Sequence, residues 1–375
     1  MSQTEVPEPK VINGPRRHVL TDIYLHLGAA VLRNLVWYLN AGDGKDFDEI
    51  ITVPTPGLGT GYVRIAICKP PAPEAATNSQ ERPLLLVLEG GGFILGQPED
   101  GQKHDRKLAD EVRSPLFSHV HRPCIAGCLF CAPGSAIRLT EQLGAIVISI
   151  DYAKAPKYPY PHALLQVYAV LRWAFSQDAE KHGIKADPRR VAIHGNSAGG
   201  NLTAVLSLLL SFSTGPCARF RQELPPNFKQ VAQILLYPST EQYQSYAARF
   251  QRTDAKAKSR SLPVGVCELM EDSYIPPYID RNQMFVAPLA TPTKLLKDLR
   301  PPPALVLTAG LDCLKEEAMA YAYKLRETGV GVDIHEYSDA IHGFSHYTSG
   351  KDYRKEDVDD CWKRITEALR TSFLP

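Results

Sequence analysis

The sequence has no excess of charge of either sign. Its 375 residues carry 42 Lys and Arg against 41 Asp and Glu, a formal net charge of +1. Without a clustered basic stripe of the kind that follows a phosphate backbone, nucleic acid is not expected as a partner. The opening "MSQTEVPEPKVINGPRRHVL" has no apolar core behind its charges, which argues against a signal peptide. No apolar run reads as long enough to span a membrane, so no stable membrane insertion is expected. The nearest approach is "IYLHLGAAVLRNLVWYL", Ile23 to Leu39, which His26, Arg33 and Asn34 interrupt at helical spacing. It reads as an amphipathic helix, either a lid over a site or a packed N-terminal helix. A cysteine framework is missing too: Cys68, Cys217, Cys267, Cys313 and Cys361 are scattered along the chain. In the absence of a secretion signal they are expected to be reduced thiols of a cytoplasmic protein.

What is abundant is apolar sequence in short runs. With 44% hydrophobic residues the chain can bury a large core. After a β-rich segment at Tyr62 to Pro70, such runs recur at "LLLVLE", "AIVISIDY", "VAIHG", "AQILLYP", "ALVLTAG" and "VDIHEY". Helix-period segments such as "PHALLQVYAVLRWAFSQDAEKHG" and "LKEEAMAYAYKLRETG" lie between most of them. This alternation predicts an α/β fold with a mostly parallel sheet flanked by helices. Chemistry in such sheets sits at the carboxyl ends of the strands. One stretch breaks the alternation: residues 241–288 are polar and aromatic with no strand pattern, the character of a cap over an apolar pocket.

Four segments carry candidate chemistry. "HGNSAGGNL" places Ser197 in G-x-S-x-G, between a predicted strand and the apolar helix "AVLSLLLSF". Small residues two before and two after permit the sharp turn that lifts a serine hydroxyl out of a sheet. A serine hydroxyl is a poor nucleophile until a base takes its proton, and His342, in "SDAIHGFSHY" beyond the last predicted strand, is the best placed of 11 histidines. The imidazole in turn needs an acid. Asp312 follows the end of the preceding strand, with Asp339 and Glu316 as rivals; Asp339 lies too near His342 in the same loop to approach easily from the far side. The fourth segment is "LEGGGF", where the backbone N–H groups of Gly91 and Gly92, with that of Ala198, could bind an oxyanion with no side chain in the way.

At these residues the sequence resembles an α/β-hydrolase of the hormone-sensitive-lipase-like branch of serine esterases and lipases, of fungal type. The motifs "GGGF", "SIDYAKAPKYPYPHAL", "GNSAGGNL", "PPPALVLTAGLDCLKEEAMAYAYKL" and "DAIHGF" occur in order over most of the chain. The resemblance implies one α/β-hydrolase domain over 1–375, with a cap formed by 1–45 and 241–288. It implies Ser197 as nucleophile, His342 as base, Asp312 as orienting acid, and Gly90, Gly91, Gly92 and Ala198 as the oxyanion region. The implied activity is hydrolysis of a carboxylic ester, acetyl ester or lactone of a small to medium apolar substrate through an acyl-enzyme, with no cofactor. A lyase or cyclase, and a receptor-like ligand binder, are the other activities open to this scaffold.

Two departures from the family pattern stand out. The family's H-G-G-G begins here with Glu89, an acid that either braces the loop or takes part in a different reaction. A second departure is the insertion 112–142, whose removal joins "DRKLADE" to "LGAIVISIDY", the junction the family leads one to expect. It holds Cys124, Cys128 and Cys131 behind His119 and His121. No second C-x-x-C pair follows at zinc-module spacing, so no metal is expected. Translation of an unremoved intron is a further explanation, since Val112 requires a GT codon and Gln142 can be CAG. Oligomeric state is not assigned by composition.

Overall fold

The computed structural model describes all residues except 13, 16, 41–44, 71–80, 112–143 and 375. The insertion 112–142, with its cysteines and histidines, therefore lies outside the described residues.

Eight strands form one sheet. They are β1 (Glu49–Pro54), β2 (Tyr62–Cys68), β3 (Arg82–Leu88), β4 (Ile146–Asp151), β5 (Ala186–Asn196), β6 (Gln230–Leu236), β7 (Ala304–Ala309) and β8 (Val332–Tyr337). Their spatial order is β1-β2-β4-β3-β5-β6-β7-β8, antiparallel at β1/β2 and β2/β4 and parallel from β4 onwards. The predicted strands are thus present. Strand β1, "EIITVP", carries no signal of its own in the sequence because half of its residues face solvent and it has no long apolar run.

Two-sided burial explains why the central strands read as unbroken apolar runs. Leu84, Leu86 and Leu88 of β3 point into one core, together with Leu202 and Val205 of the Ser197–Leu209 helix and Tyr321 of the Lys315–Glu327 helix. Leu85 and Val87 point the other way, against Leu108 of the Pro98–Glu111 helix and Ile365 of the Lys355–Ser372 helix. At 25 cal/mol per Å², burying one such leucine is worth about 2 kcal/mol, so these two faces supply the bulk of the driving force.

Residues 241–288 contain three helices, Tyr246–Arg252, Ala255–Lys258 and Val264–Tyr274, rather than strands. Arg249 pairs with Glu271 and with Glu317, joining two of these helices to the Lys315–Glu327 helix below; all three side chains are buried. The N-terminal helix, Val19–Asn40, packs on the Val264–Tyr274 helix. Its Arg33 donates to the carbonyls of Ile94 and Ala155. Among the described apolar side chains of this helix Leu25 and Ala29 are fully buried, while Leu20, Ile23, Leu27, Val31 and Leu35 are exposed. The expectation about apolar length needs correcting here. Val19–Val36 is long and apolar enough to cross a membrane by length and composition, because Asp22, His26, Arg33 and Asn34 are too few to dilute the run.

Candidate active site

The site is assembled where β3, β5, β6, β7 and β8 end. Ser197 follows β5 and opens the Ser197–Leu209 helix with φ of +51°, a left-handed conformation that non-glycine residues rarely adopt. The turn is possible only because its flanks are bare. A Cβ on Gly199 would lie 1.8 Å from the Leu88 carbonyl oxygen, and one on Gly195 would lie 2.2 Å from the Gly199 carbonyl oxygen. The strained serine thereby stands proud of the sheet at a helix N-terminus.

His342 Nε2 lies 2.9 Å from Ser197 Oγ, and His342 Nδ1 lies 2.6 Å from Asp312 Oδ2. The loops carrying the acid and the imidazole are laced together: Gly310 N–H donates to the Tyr337 carbonyl and Leu311 N–H to the Ala340 carbonyl. The rival acids are elsewhere. Asp339 is exposed and pairs with Lys256 and Arg354, and the side chain of Glu316, 77% exposed, pairs with Lys315. Of the acids weighed for His342, the structure brings only Asp312 to it.

The glycine loop lies beside the serine. Gly91 and Gly92 have φ of +115° and +59°, and Phe93 has +62°, so the backbone doubles back over the site. Among the described residues the N–H groups of Gly91 and Gly92 donate to no hydrogen-bond acceptor, and Ala198 N–H lies in the first helical turn, where intrahelical acceptors are lacking. Gly90 differs from the other two glycines. Its N–H donates to Asn196 Oδ1 at 2.6 Å, which removes it from the set of free donors and makes it the anchor of the loop.

Glu89 is buried and engaged. Its Oε2 accepts from Asn196 Nδ2 at 2.7 Å and lies 3.3 Å from His346 Nε2. Further imidazole and carboxyl groups crowd it. Asp100 is pushed up to about 6 by burial and by the Glu89 charge. His104 and His194 are pushed down by burial, to about 3 and about 4. Asp105 is raised well above the usual carboxylate range by burial and again by Glu89. His346 behaves in the opposite sense: burial pulls it down, but the Glu89 carboxylate outweighs this and holds it above the ordinary imidazole value. Glu89 is pushed up by burial, yet the His346 charge, with hydrogen bonds from His346 and Asn196, holds it below the ordinary value. Glu89 and His346 therefore face each other behind the glycine loop, each shifted in the direction that favours its charged form. Neither His346 nor Asn196 is among the site residues expected from the sequence. The available signal is the second histidine of "IHGFSH", four residues after His342.

Above Ser197 is a cavity of about 800 Å³. Val36 of the N-terminal helix, Leu262 and Met270 of the 241–288 segment, and Phe93, Leu95 and Leu314 line it, together with polar and charged side chains such as Gln242, Arg249 and Glu271. Both predicted cap segments thus contribute to its wall. Phe93 stacks on Tyr274 with ring centroids 3.6 Å apart, tying the glycine loop to the segment above. Among the described residues no group of three or more His, Cys, Asp and Glu side chains is placed to hold a metal ion.

A family model described as alpha/beta hydrolase fold matches residues 129–346, which include the Ser197 turn, Asp312 and His342. The chain belongs to the alpha/beta hydrolase fold family. Esterase LipI of Mycobacterium tuberculosis is 30% identical to this hydrolase over 278 residues, 73% of this chain and 69% of LipI. Carboxylesterase NlhH of the same species is 33% identical over 204 residues, 54% of this chain and 57% of NlhH. The crystal structure of a thermostable esterase from Pseudomonas putida superposes with a TM-score of 0.67 at 22% identity, covering 97% of this chain and all of that one. That last likeness bears on the fold alone.

Proposed function

We propose that this hydrolase cleaves carboxylic esters of small to medium substrates, apolar on the acyl or alcohol side, through an acyl-enzyme. The observation that carries this reading is the continuous chain from Ser197 Oγ through His342 to Asp312, with links of 2.9 and 2.6 Å, in a cavity to which Val36, Phe93, Leu95, Leu262, Met270 and Leu314 contribute apolar surface beside charged side chains. Ser197 Oγ attacks the ester carbonyl as its proton passes to His342 Nε2, and Asp312 holds Nδ1–H so that Nε2 faces the serine. The carbonyl oxygen becomes an oxyanion and takes N–H bonds from Gly91, Gly92 and Ala198. The imidazolium then protonates the departing alkoxide. Water repeats the sequence against the acyl-serine, releasing the acid and restoring Ser197. No step calls for a cofactor. The esterase names of LipI and NlhH support the same chemistry.

The reading of Glu89 as acid or base of a lyase is not favoured, because its carboxylate is engaged by Asn196 and His346. A receptor-like binder has no use for the Ser197, His342 and Asp312 chain.

The test is a panel of p-nitrophenyl esters of increasing acyl length with wild type and Ser197→Ala, alongside fluorophosphonate labelling. Turnover of short and medium chains, with labelling at Ser197 and loss of both in the variant, is the expected result. Turnover unchanged by Ser197→Ala would overturn the reading.

A further inference from the structure

We infer that Glu89 and His346 are positioning residues for the oxyanion loop, acting through the side-chain amide of Asn196. This inference rests on the reading of Ser197 as nucleophile and deepens it, since it concerns how that site's oxyanion donors are held.

Sheet register sets the arrangement. Leu88 of β3 lies opposite Gly195 of β5 in a parallel pair, so the next residues along, Glu89 and Asn196, emerge side by side at the strand ends. Asn196 then uses both ends of its amide. Nδ2 donates to Glu89 Oε2 at 2.7 Å, and Oδ1 accepts from Gly90 N–H at 2.6 Å. An amide is planar, with its donor and acceptor fixed relative to one another, so the carboxylate that captures Nδ2 also dictates where Oδ1 points. Where Oδ1 points decides where Gly90, and hence Gly91 and Gly92, must lie. The fit leaves no slack, because a Cβ at Gly90 would come within 2.2 Å of Asn196 Oδ1 and 2.9 Å of Ser197 Cβ.

His346 completes the arrangement from the turn after β8. Its Nε2 faces Glu89 Oε2, and its Nδ1 lies 2.9 Å from Ser345 Oγ and 3.3 Å from Tyr237 Oη. That turn is fixed by Trp362 Nε1, which donates to the Ser345 carbonyl at 3.0 Å, while His104 stacks on the Trp362 ring. A buried carboxylate without a counter-charge would be strongly disfavoured, so His346 is what allows an acid to stand at the head of the glycine loop. Asn196 precedes the nucleophile and Gly90 precedes the free donors, so the ion pair is one amide away from both halves of the site.

The experiment compares wild type, Glu89→Gln, Asn196→Ala and the double variant, using p-nitrophenyl acetate and its thiono analogue. Active-site titration with a fluorophosphonate normalises rates to folded, competent enzyme. Each single change is expected to lower kcat by about 10- to 100-fold with KM within about twofold, short of the 10²–10³ that follows outright removal of an oxyanion donor. The double variant should be no slower than the slower single variant, because the two residues act as one device. A thiocarbonyl accepts N–H bonds weakly, so the preference for the oxoester over the thionoester should shrink in every variant. A general loss of folding would leave that preference unchanged. Additive losses, a change confined to KM, or an undiminished preference for the oxoester would each overturn the inference. Should Asn196→Ala fail to fold, the isosteric Glu89→Gln decides alone through the thionoester ratio. Ser197→Ala in the same series keeps the two readings apart. If it remains active, the proposed function fails, whereas an inactive Ser197→Ala beside a fully active Glu89→Gln sinks only the positioning role.

Discussion

The "IHGFSH" turn places two imidazoles four residues apart, and each meets a carboxylate from a different strand end. His342 faces Asp312 and, across the ring, the Ser197 hydroxyl. His346 faces Glu89 and, through that carboxylate, the amide of Asn196, the residue before Ser197. The first pair leaves one ring nitrogen on a group whose proton can be taken. In the second pair the ring's far nitrogen rests on Ser345 and Tyr237, and the carboxylate accepts from the Asn196 amide, whose oxygen takes the Gly90 N–H. The two pairs thus differ in what lies on the far side of each partner: a serine hydroxyl, or an amide that takes a backbone N–H.

Changes to the first pair should have the largest effects. Ser197→Ala and His342→Ala are expected to reduce ester turnover to background, and Asp312→Asn to lower kcat on the order of 10⁴-fold, as loss of the orienting acid does in this kind of triad. Steady-state assays at matched concentrations of folded protein measure all three. If Asp312→Asn were nearly silent, the two pairs would not differ in kind.

Removing His346 tests the second pair by a different route. His346→Gln strands Glu89 without its counter-charge, and the cost expected in urea denaturation near pH 6 is about 3 kcal/mol, in the range for breaking a buried ion pair. That cost depends on pH. His346 lies above its ordinary value of 6.5, so its contribution is complete below 6.5 and disappears as pH rises through the raised value. Glu89 lies below its ordinary value of 4.5, so its contribution is complete above 4.5 and disappears as pH falls through the depressed value. The stability gap between wild type and His346→Gln should therefore be widest between these two ordinary values and narrow on the alkaline side. A gap that grows with rising pH would mean that the imidazole is neutral and the pair is not ionic.

The smallest effects sharpen the comparison by exclusion. Asp339→Asn and Glu316→Gln remove the rival acids, both exposed in the structure, and kcat is expected to stay within about twofold of wild type. A loss of a hundredfold in either would return that acid to contention as the partner of His342.

The two pairs also differ in how plainly the sequence marks them. Ser197, Asp312 and His342 are legible because each sits at a motif or strand end whose local sequence announces it: small residues around a serine, an acid after "ALVLTAG", a histidine beyond "VDIHEY". His346 and Asn196 have no such local mark, since their role depends on Glu89 arriving from another strand. The parallel sheet is legible because strands buried on both faces are continuously apolar. Strand β1 escapes for the converse reason, being half exposed. The apolar length of Val19–Val36 is easily underestimated, because isolated polar residues look like true interruptions. Gly90 reads as equivalent to Gly91 and Gly92 because a run of glycines carries no mark of which amide is already taken.

By itself the sequence determined which groups are capable of chemistry and the order in which strands deliver them, since those follow from local periodicity and turn geometry. Only the tertiary structure decided which acid meets which imidazole. Asp339 is three residues from His342 and remains apart from it; Asp312 is 30 residues away and within hydrogen-bond reach. Glu89 and His346 are separated by most of the chain and meet because Glu89 emerges beside Asn196 at the strand ends while the turn after β8 folds back over both. Sheet order is a property of non-local pairing, and no window of sequence contains it.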